Sequence, residues 1–386
     1  MTAKQAKRVM FLTGTRADFG KLKSLMLKLQ GDARFEVHVF VTGMHMLSRF
    51  GSTWDEVRKA GLPNIYRFVN QNHNDSMDQV LAKTVGGLSD YVKEMRPDLI
   101  VVHGDRVEAL AGAIVGALNN IRVAHIEGGE VSGTVDELIR HAVSKLSHMH
   151  FVANDIACRR LIQLGEARDS IFIIGSPDVD IMNSSTLPTL SEVKRHYNFG
   201  FDQYAILMFH PVTTETRDLP RQVRIVVDQV LASGKNFVAL FPNNDEGSDI
   251  ILAEYERLRN QPKIAVYPSM RFEYFLTLLK NADFVIGNSS AGAREAPHFG
   301  VPAVNLGSRQ NNRVRSPLVL DTPIEAEAIA RAIGRVKDVP RVAEAIFGNG
   351  NSAEAFLETL ARPQSWAPGT QKFFIDTHAA HVAPAS

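Results

Sequence analysis

Carboxylates and guanidinium groups recur in this chain at one kind of place, directly after a run of apolar residues. His103-Gly104-Asp105-Arg106 follows the run Leu99–Val102. A carboxylate and a guanidinium at the end of a buried strand are expensive for structure alone, although an Asp cap on the following helix would employ one of them. The segment from His125 to Glu137 follows Val123-Ala124, with Glu127 and Asp136 bracketing it and Glu130 and Glu137 adding further acid. Carboxylates this dense raise one another's proton affinity unless cations intervene. A protonated acid beside an ionised base is the equipment for exchanging a proton at carbon. Gly128, Gly129 and Gly133 give this loop a backbone expected to fold around a ligand.

A second set of residues has the chemistry of anion binding. Thr13-Gly14-Thr15-Arg16-Ala17-Asp18 ends the first apolar run, and Arg16 at a helix start suits a phosphate. Gly14 through Lys21 imitates a P-loop, but five residues separate its glycines and Leu22 stands where Ser or Thr is required, which excludes that reading. In Ile286-Gly287-Asn288-Ser289-Ser290-Ala291-Gly292, small residues permit close approach to a diphosphate, and Ser289 and Ser290 add hydroxyl donors. Glu295, further along that helix, is placed to accept hydrogen bonds from ribose hydroxyls. His210 in Phe209-His210-Pro211 suits a phosphate or sugar oxygen, Asn243 with Asn244 a base or ribose, and Arg309 a further anion. His125, His141, His148 and His150 have neither HExxH nor paired-cysteine spacing, so no metal is expected.

The elements that must position these residues alternate. Arg8–Thr13, Phe35–Thr42, Leu99–His103, Arg122–His125 and Met149–Val152 read as strands, separated by helical patterns at Lys21–Leu29, Met77–Glu94, Val107–Leu118 and Glu137–Leu146. After the strand Ile171–Ile174 the pattern restarts. Strands are expected at Ala205–Phe209, Phe237–Phe241, Ile264–Tyr267, Phe284–Ile286 and Ala303–Leu306. The helices between them are expected at Val223–Leu231, Ile250–Arg259, Phe272–Leu279 and Ala291–Pro297. Near-continuous apolar strands with intervening helices predict an α/β chain of two Rossmann-like domains, each a parallel sheet covered on both faces. The expected domains are 1–177 and 178–355, with a helical tail, 356–386, packing back on the first. Ligands of such sheets bind beyond the carboxyl ends of the strands, which is where the residues above lie.

Composition narrows the function classes. The 386 residues carry 43 Lys+Arg against 42 Asp+Glu, a net charge of +1, so neither nucleic acid nor an anionic membrane is expected as a partner. One cysteine precludes a disulfide framework within the chain and fits a reducing, cytoplasmic compartment. No apolar stretch approaches the ~20 residues that span a bilayer.

In combination and in order, GTRADFGK, VTGMH, VHGDR, AHIEGGEVSGTVDELIRHAVSKLSH, IGSPD, FHPVT, GNSSAGAREA and NLGSRQ resemble the hydrolysing UDP-N-acetylglucosamine 2-epimerase family, which feeds sialic-acid-type synthesis. The resemblance implies a GT-B fold with an interdomain cleft, UDP held mainly by the second domain, no cofactor, and a homo-oligomer, dimer or tetramer. It places Arg16, Arg106, His210, Ser289, Ser290 and Arg309 around the diphosphate, Glu295 on the ribose, and Asp105, Glu127 and Asp136 as the acid/base carboxylates. The implied chemistry is loss of the sugar C2 proton with departure of UDP from C1, then hydration of the glycal to free N-acetylmannosamine. HIEGGEVSGTVDELIRHA and RFEYF resemble legionaminic-branch enzymes as well, which keeps UDP-N,N'-diacetylbacillosamine open as substrate. A non-hydrolysing 2-epimerase, a GT-B glycosyltransferase and a catalytically silent nucleotide-sugar sensor are the rival functions.

Overall fold

A computed structural model describes residues 6–72, 75–131, 135–242, 245–310, 316–367 and 369–375. Among these, thirteen strands form two all-parallel sheets. The first contains β1 (Lys7–Thr13), β2 (Phe35–Val41), β3 (Asn64–Arg67), β4 (Leu99–His103), β5 (Arg122–Ile126), β6 (Met149–Val152) and β7 (Ile171–Ile173). Its spatial order is β3-β2-β1-β4-β5-β6-β7. The second contains β8 (Ala205–Met208), β9 (Phe237–Leu240), β10 (Ile264–Tyr267), β11 (Val285–Gly287), β12 (Ala303–Leu306) and β13 (Val319–Thr322), in the order β10-β9-β8-β11-β12-β13. This is the GT-B architecture of two Rossmann-like domains.

Strand β1 shows why the apolar runs form central strands. Side chains alternate between sheet faces. Val9 and Phe11 join the core on one face, while Met10 and Leu12 join the core on the other, so the middle of the strand is wholly apolar. In the second domain Ala205 and Leu207 face one core and Ile206 the opposite one. The strands that sequence patterning misses, β3 and β13, lie at sheet edges, where partly exposed residues replace the apolar run.

Two expectations about helices are corrected. The helix expected over Ala291–Pro297 is broken at Arg294 into single turns, Ser290–Ala293 and Glu295–His298. The tail, expected to be helical over 356–386, has its α-helix at Ser352–Ala361, which stops before Pro363, whose ring disfavours helix at the preceding residue. Its Phe356 packs on Phe151, ring centroids 4.6 Å apart, and on Phe11 at 6.3 Å, inside the first domain's core. No described helix is long and apolar enough to cross a membrane.

In each sheet the winding reverses between two neighbouring strands, β1 and β4 in the first, β8 and β11 in the second. The crevice at such a reversal is where open α/β sheets hold ligands. The four segments leaving these strands are those beginning at Gly14, Gly104, Phe209 and Asn288. The domains also meet through the helix Arg16–Gln30, whose Gly20 lies against Phe272 of the helix Phe272–Lys280. A Cβ on Gly20 would come within 2.8 Å of Phe272. Arg16 donates to Ser269 at 2.7 Å, and Lys23 to Glu273 at 2.8 Å, on either side of that contact. Gly20→Ala is therefore expected to destabilise the protein by about 1–3 kcal/mol through overpacking. Gly86→Ala, in an open position within the helix Met77–Met95, should stabilise it by about 0.5–1 kcal/mol. Chemical denaturation of both variants checks the opposite signs.

Candidate active site

The two crevices open into one cavity of about 320 Å³, within the size range of small-molecule sites. Arg16, Asp105, Arg106, Asp136, His210, Ser289, Ser290, Glu295 and Arg309 all line it. Nine residues scattered from position 16 to 309 in the sequence thus converge on one space. Asn243 lies outside the described residues.

Asp105 follows β4 and is ion-paired with Arg140, which projects from the helix Val135–Leu146 and donates its other nitrogen to the Glu127 carbonyl at 2.6 Å. Asp136 is the second residue of that helix and meets Arg309 of the second domain at 3.4 Å. Burial and the Asp105 carboxylate push the Asp136 carboxyl above its usual range, against the pull of Arg309. Both acids thus meet a guanidinium, yet Asp136 has a raised affinity for its proton. Arg106 begins the helix Val107–Leu118, with its Nε 3.6 Å from Glu108.

On the second domain, His210 follows β8, and Asn288 clamps its backbone: Oδ1 accepts from His210 N–H at 2.7 Å and Nδ2 donates to its carbonyl at 2.8 Å. Burial, with Arg309 and Arg106 nearby, keeps the His210 imidazole neutral by holding its pKa well below the usual value. Ser289 caps the short turn that Ser290 opens. Glu295 is buried, its Oε1 3.5 Å from Lys21 Nζ, while Oε2 has no hydrogen-bond partner among the described residues. A hydroxyl donor from a ligand suits that oxygen.

Glu127 is placed differently from the other two carboxylates. It is buried, with backbone φ of +63°, and is not among the cavity's lining residues. Its Oε2 lies 3.0 Å from His103 Nε2, while Oε1 accepts from Arg294 at 2.5 Å and from the Ser176 hydroxyl at 2.5 Å. Burial alone would raise its pKa, but Arg294, then Lys21 and His103, hold it well below the usual range. Between Glu127 and the cavity stands His103, which does line the space. Its Nδ1 is 2.9 Å from Asp18 Oδ1. Burial opposes the charged imidazolium, but Asp18 and Glu127 outweigh it and push the pKa to about 9.

Sequence reasoning missed His103, Lys21 and Arg294. His103 carries the same strand-end signal as Asp105, two residues before it. Lys21, a cavity-lining residue, was visible only as part of a P-loop imitation, yet it lies 2.6 Å from Asp178 and 3.9 Å from Glu127. The glycines of the acidic loop also have another reason to be there. A Cβ on Gly129 (φ +75°) would sit 2.3 Å from the Ala157 carbonyl, and one on Gly128 2.8 Å from His125. Those two positions serve packing against protein, not a ligand, and Gly133 lies outside the described residues. The four histidines each hold a protein partner: His125 pairs with Ser144 and the Gly104 carbonyl, His141 with Glu137, His148 with the Val123 amide and Thr370 carbonyl, His150 with Glu166.

Comparison with known proteins agrees with this architecture. The family model for UDP-N-acetylglucosamine 2-epimerase matches residues 27–361. A UDP-N-acetylglucosamine 2-epimerase of Neisseria meningitidis serogroup B is 47% identical over 374 residues, covering 96% of this chain and 99% of that protein. A hydrolysing UDP-N,N'-diacetylbacillosamine 2-epimerase of Legionella pneumophila is 33% identical, covering 92% of this chain and 95% of its own. Among solved structures, a Neisseria meningitidis UDP-GlcNAc 2-epimerase bound to UDP-GlcNAc superposes with a TM-score of 0.77 at 19% identity, over 92% of this chain and 99% of that one. The Methanocaldococcus jannaschii enzyme in complex with UDP-GlcNAc and UDP gives 0.77 at 22% identity, with the same coverage. The matched span, the near-complete relatives and the shared fold establish that this chain belongs to the UDP-N-acetylglucosamine 2-epimerase family.

Proposed function

We propose that the protein converts UDP-N-acetylglucosamine and water to N-acetylmannosamine and UDP. The observation that carries this reading is the convergence of Asp105 and Asp136 with Arg106, Arg309, His210 and the Ser289–Ser290 hydroxyls on one cavity. Acid/base groups and diphosphate-binding groups then act on neighbouring atoms of one substrate. Relatives named as hydrolysing enzymes at 33% and 30% identity support the hydrolytic outcome.

The C2 proton is barely acidic, so its removal needs the C1–O bond to break in the same step. Asp105 takes the C2 proton, the C–H electrons form the C1=C2 bond, and the C1–O electrons leave with UDP. Arg106, Arg309 and the serine hydroxyls stabilise the growing diphosphate charge, already oriented before the step. Asp136, with its raised proton affinity, then returns a proton to C2 from the other face. Water adds its oxygen to C1 and gives up its proton to the Asp136 carboxylate, and Asp105 releases the proton it took from C2 to solvent as UDP departs, so the product is N-acetylmannosamine. Neutral His210 donates a hydrogen bond to a phosphate or sugar oxygen, Arg16 supports the diphosphate, and Glu295 Oε2 accepts from the ribose. Glu127 acts from behind, through the His103 imidazolium. The second reading of the substrate, UDP-N,N'-diacetylbacillosamine, is favoured by the name of the Legionella relative. The protein is expected to work in the cytoplasm as a homo-oligomer.

A proton NMR time course with each sugar nucleotide, with no acceptor added, tests the reaction. Free N-acetylmannosamine and UDP are expected from UDP-N-acetylglucosamine; UDP-N-acetylmannosamine as the only product would identify the non-hydrolysing reaction instead. Asp105→Asn should lower kcat on the order of 10²–10⁴-fold, as loss of a proton-transfer group does, while calorimetry shows UDP still bound. Retained turnover removes Asp105 from the mechanism. His103 holds its positive charge at neutral pH and loses it as pH rises through about 9. Turnover is therefore expected to fall across that range in the native protein. A rate profile of His103→Gln should lack this alkaline limb, and an identical limb in both proteins would assign it to another group.

A further inference from the structure

Arg294 stands at the break between the turns Ser290–Ala293 and Glu295–His298, with φ −116° and ψ −64°. Its neighbours along this segment, Ser289, Ser290 and Glu295, line the cavity; Arg294 does not. Instead its side chain leaves the second domain and enters the first, where it is buried. One guanidinium nitrogen binds Glu127 at 2.5 Å and lies 3.2 Å from the Ser176 hydroxyl, and the other binds Glu130. Asp178 is 3.8 Å away, and the guanidinium stacks over the Phe347 ring at 4.6 Å. Pro297, which has no N–H for the Ala293 carbonyl and whose ring crowds it, breaks the helix here. The break turns one residue of the segment across the domain boundary while the next, Glu295, stays on the cavity.

We propose that Arg294 is a positioning residue that locks the nucleotide-side segment Ser289–Glu295 onto Glu127 and Glu130, so that the reacting carboxylates face the sugar only when the two domains are seated against each other. This rests on the reading of the cavity given above. The lock has a chain of consequences. Glu127 fixes His103, which lies beside Asp18, and the Asp18 carboxylate accepts the Gly14 amide at 3.0 Å in the loop that carries Arg16. The position of the second domain is thereby transmitted to the first domain's phosphate-side loop through four side chains in contact. Two separate guanidinium nitrogens engage Glu127 and Glu130, a rigid planar geometry that a compact ammonium does not reproduce.

The test compares the native protein with Arg294→Met and Arg294→Lys. Three quantities are read: kcat and KM for UDP-N-acetylglucosamine, UDP affinity by calorimetry, and the radius of gyration with UDP by small-angle scattering. Arg294→Met is expected to lose kcat on the order of 10²-fold, the scale of a small misplacement of catalytic groups, with UDP affinity nearly unchanged and a larger radius than the native complex. Arg294→Lys should recover part of kcat and of the compaction. A kcat near the native value in folded Arg294→Met overturns the proposal. So does a parallel loss of kcat, UDP affinity and melting temperature that Arg294→Lys does not relieve, because that pattern marks a residue needed only for folding. Should Arg294→Met fail to fold, Glu130→Gln, which frees one arm of the fork, decides: lowered kcat with retained UDP affinity supports the lock, and unchanged kcat overturns it. UDP affinity and scattering need no turnover. A native protein that releases no UDP from the sugar nucleotide would therefore refute the proposed reaction while leaving the scattering comparison to judge Arg294.

Discussion

The structure depends on neutralising carboxylates that are buried where the two domains touch. Glu127, Glu130 and Asp178 come from the first half of the chain and Glu295 from the second, and all are almost wholly removed from water. An ionised carboxylate in such surroundings is strongly unfavourable unless a cation and hydrogen bonds replace the lost solvent. The replacements are Lys21, His103 and Arg294. Two of them belong to the first domain, and the third is supplied by the second. Lys21 in turn reaches Glu295 across the boundary. Each domain's buried charge is thus balanced in part by the other. Apolar contacts such as Gly20 on Phe272 bring the domains together without fixing their orientation as narrowly, because apolar packing is non-directional and a guanidinium fork is not.

The same bookkeeping separates the two kinds of residue in the cavity. The first domain contributes formal charge: Arg16, Lys21, His103, Asp105, Arg106 and Asp136. The second contributes mainly uncharged groups, among them Met208, Leu240, Phe241 and Phe272, with Asp245, Glu295 and Arg309 as its charged members. This asymmetry follows from the loops. The segments after β1, β4 and β5 present charges to the crevice, with Arg140 behind Asp105. The segment after β11 begins Asn288-Ser289-Ser290, whose side chains are too short to reach far but leave room for a bulky anion to approach.

Much of this was legible in the sequence, for one physical reason. A strand buried on both faces has no place for a charge, so a charge at its carboxyl end stands out against an apolar run. That contrast exposes Asp105, Arg106, His210, Ser289 and Arg309, and it gives the boundaries of β4, β6, β10 and β12 without error. It fails in three ways. Edge strands β3 and β13 lack the apolar run. Arg294 lies inside a helical pattern, where an arginine ordinarily marks a solvated face, and only the break in the helix turns it inward. Glu127 shares a loop with Asp136, so sequence groups it with the reacting carboxylates, but the left-handed backbone at that residue and the pull of Arg294 draw its side chain beneath His103. Sequence proximity reports which loop a side chain belongs to, and not whether it faces ligand or protein.

The distinction matters for how the carboxylates divide their work. Glu127 is surrounded by cations and is held as an anion, so at neutral pH it has no proton to give. Asp136 lies 3.4 Å from Arg309 with Arg106 also near, but burial and the carboxylates of Asp105 and Asp245 outweigh them, and its proton affinity is raised. A bound diphosphate is a further anion engaging Arg309, and it pushes Asp136 in the direction that burial and Asp105 already push it. Two acids nine residues apart in one loop-and-helix segment therefore sit at opposite ends of the protonation scale. What separates them is which side of His103 each occupies: Glu127 is sealed among the fixed positive charges of the domain contact, while Asp136 is exposed to whatever charge the ligand brings.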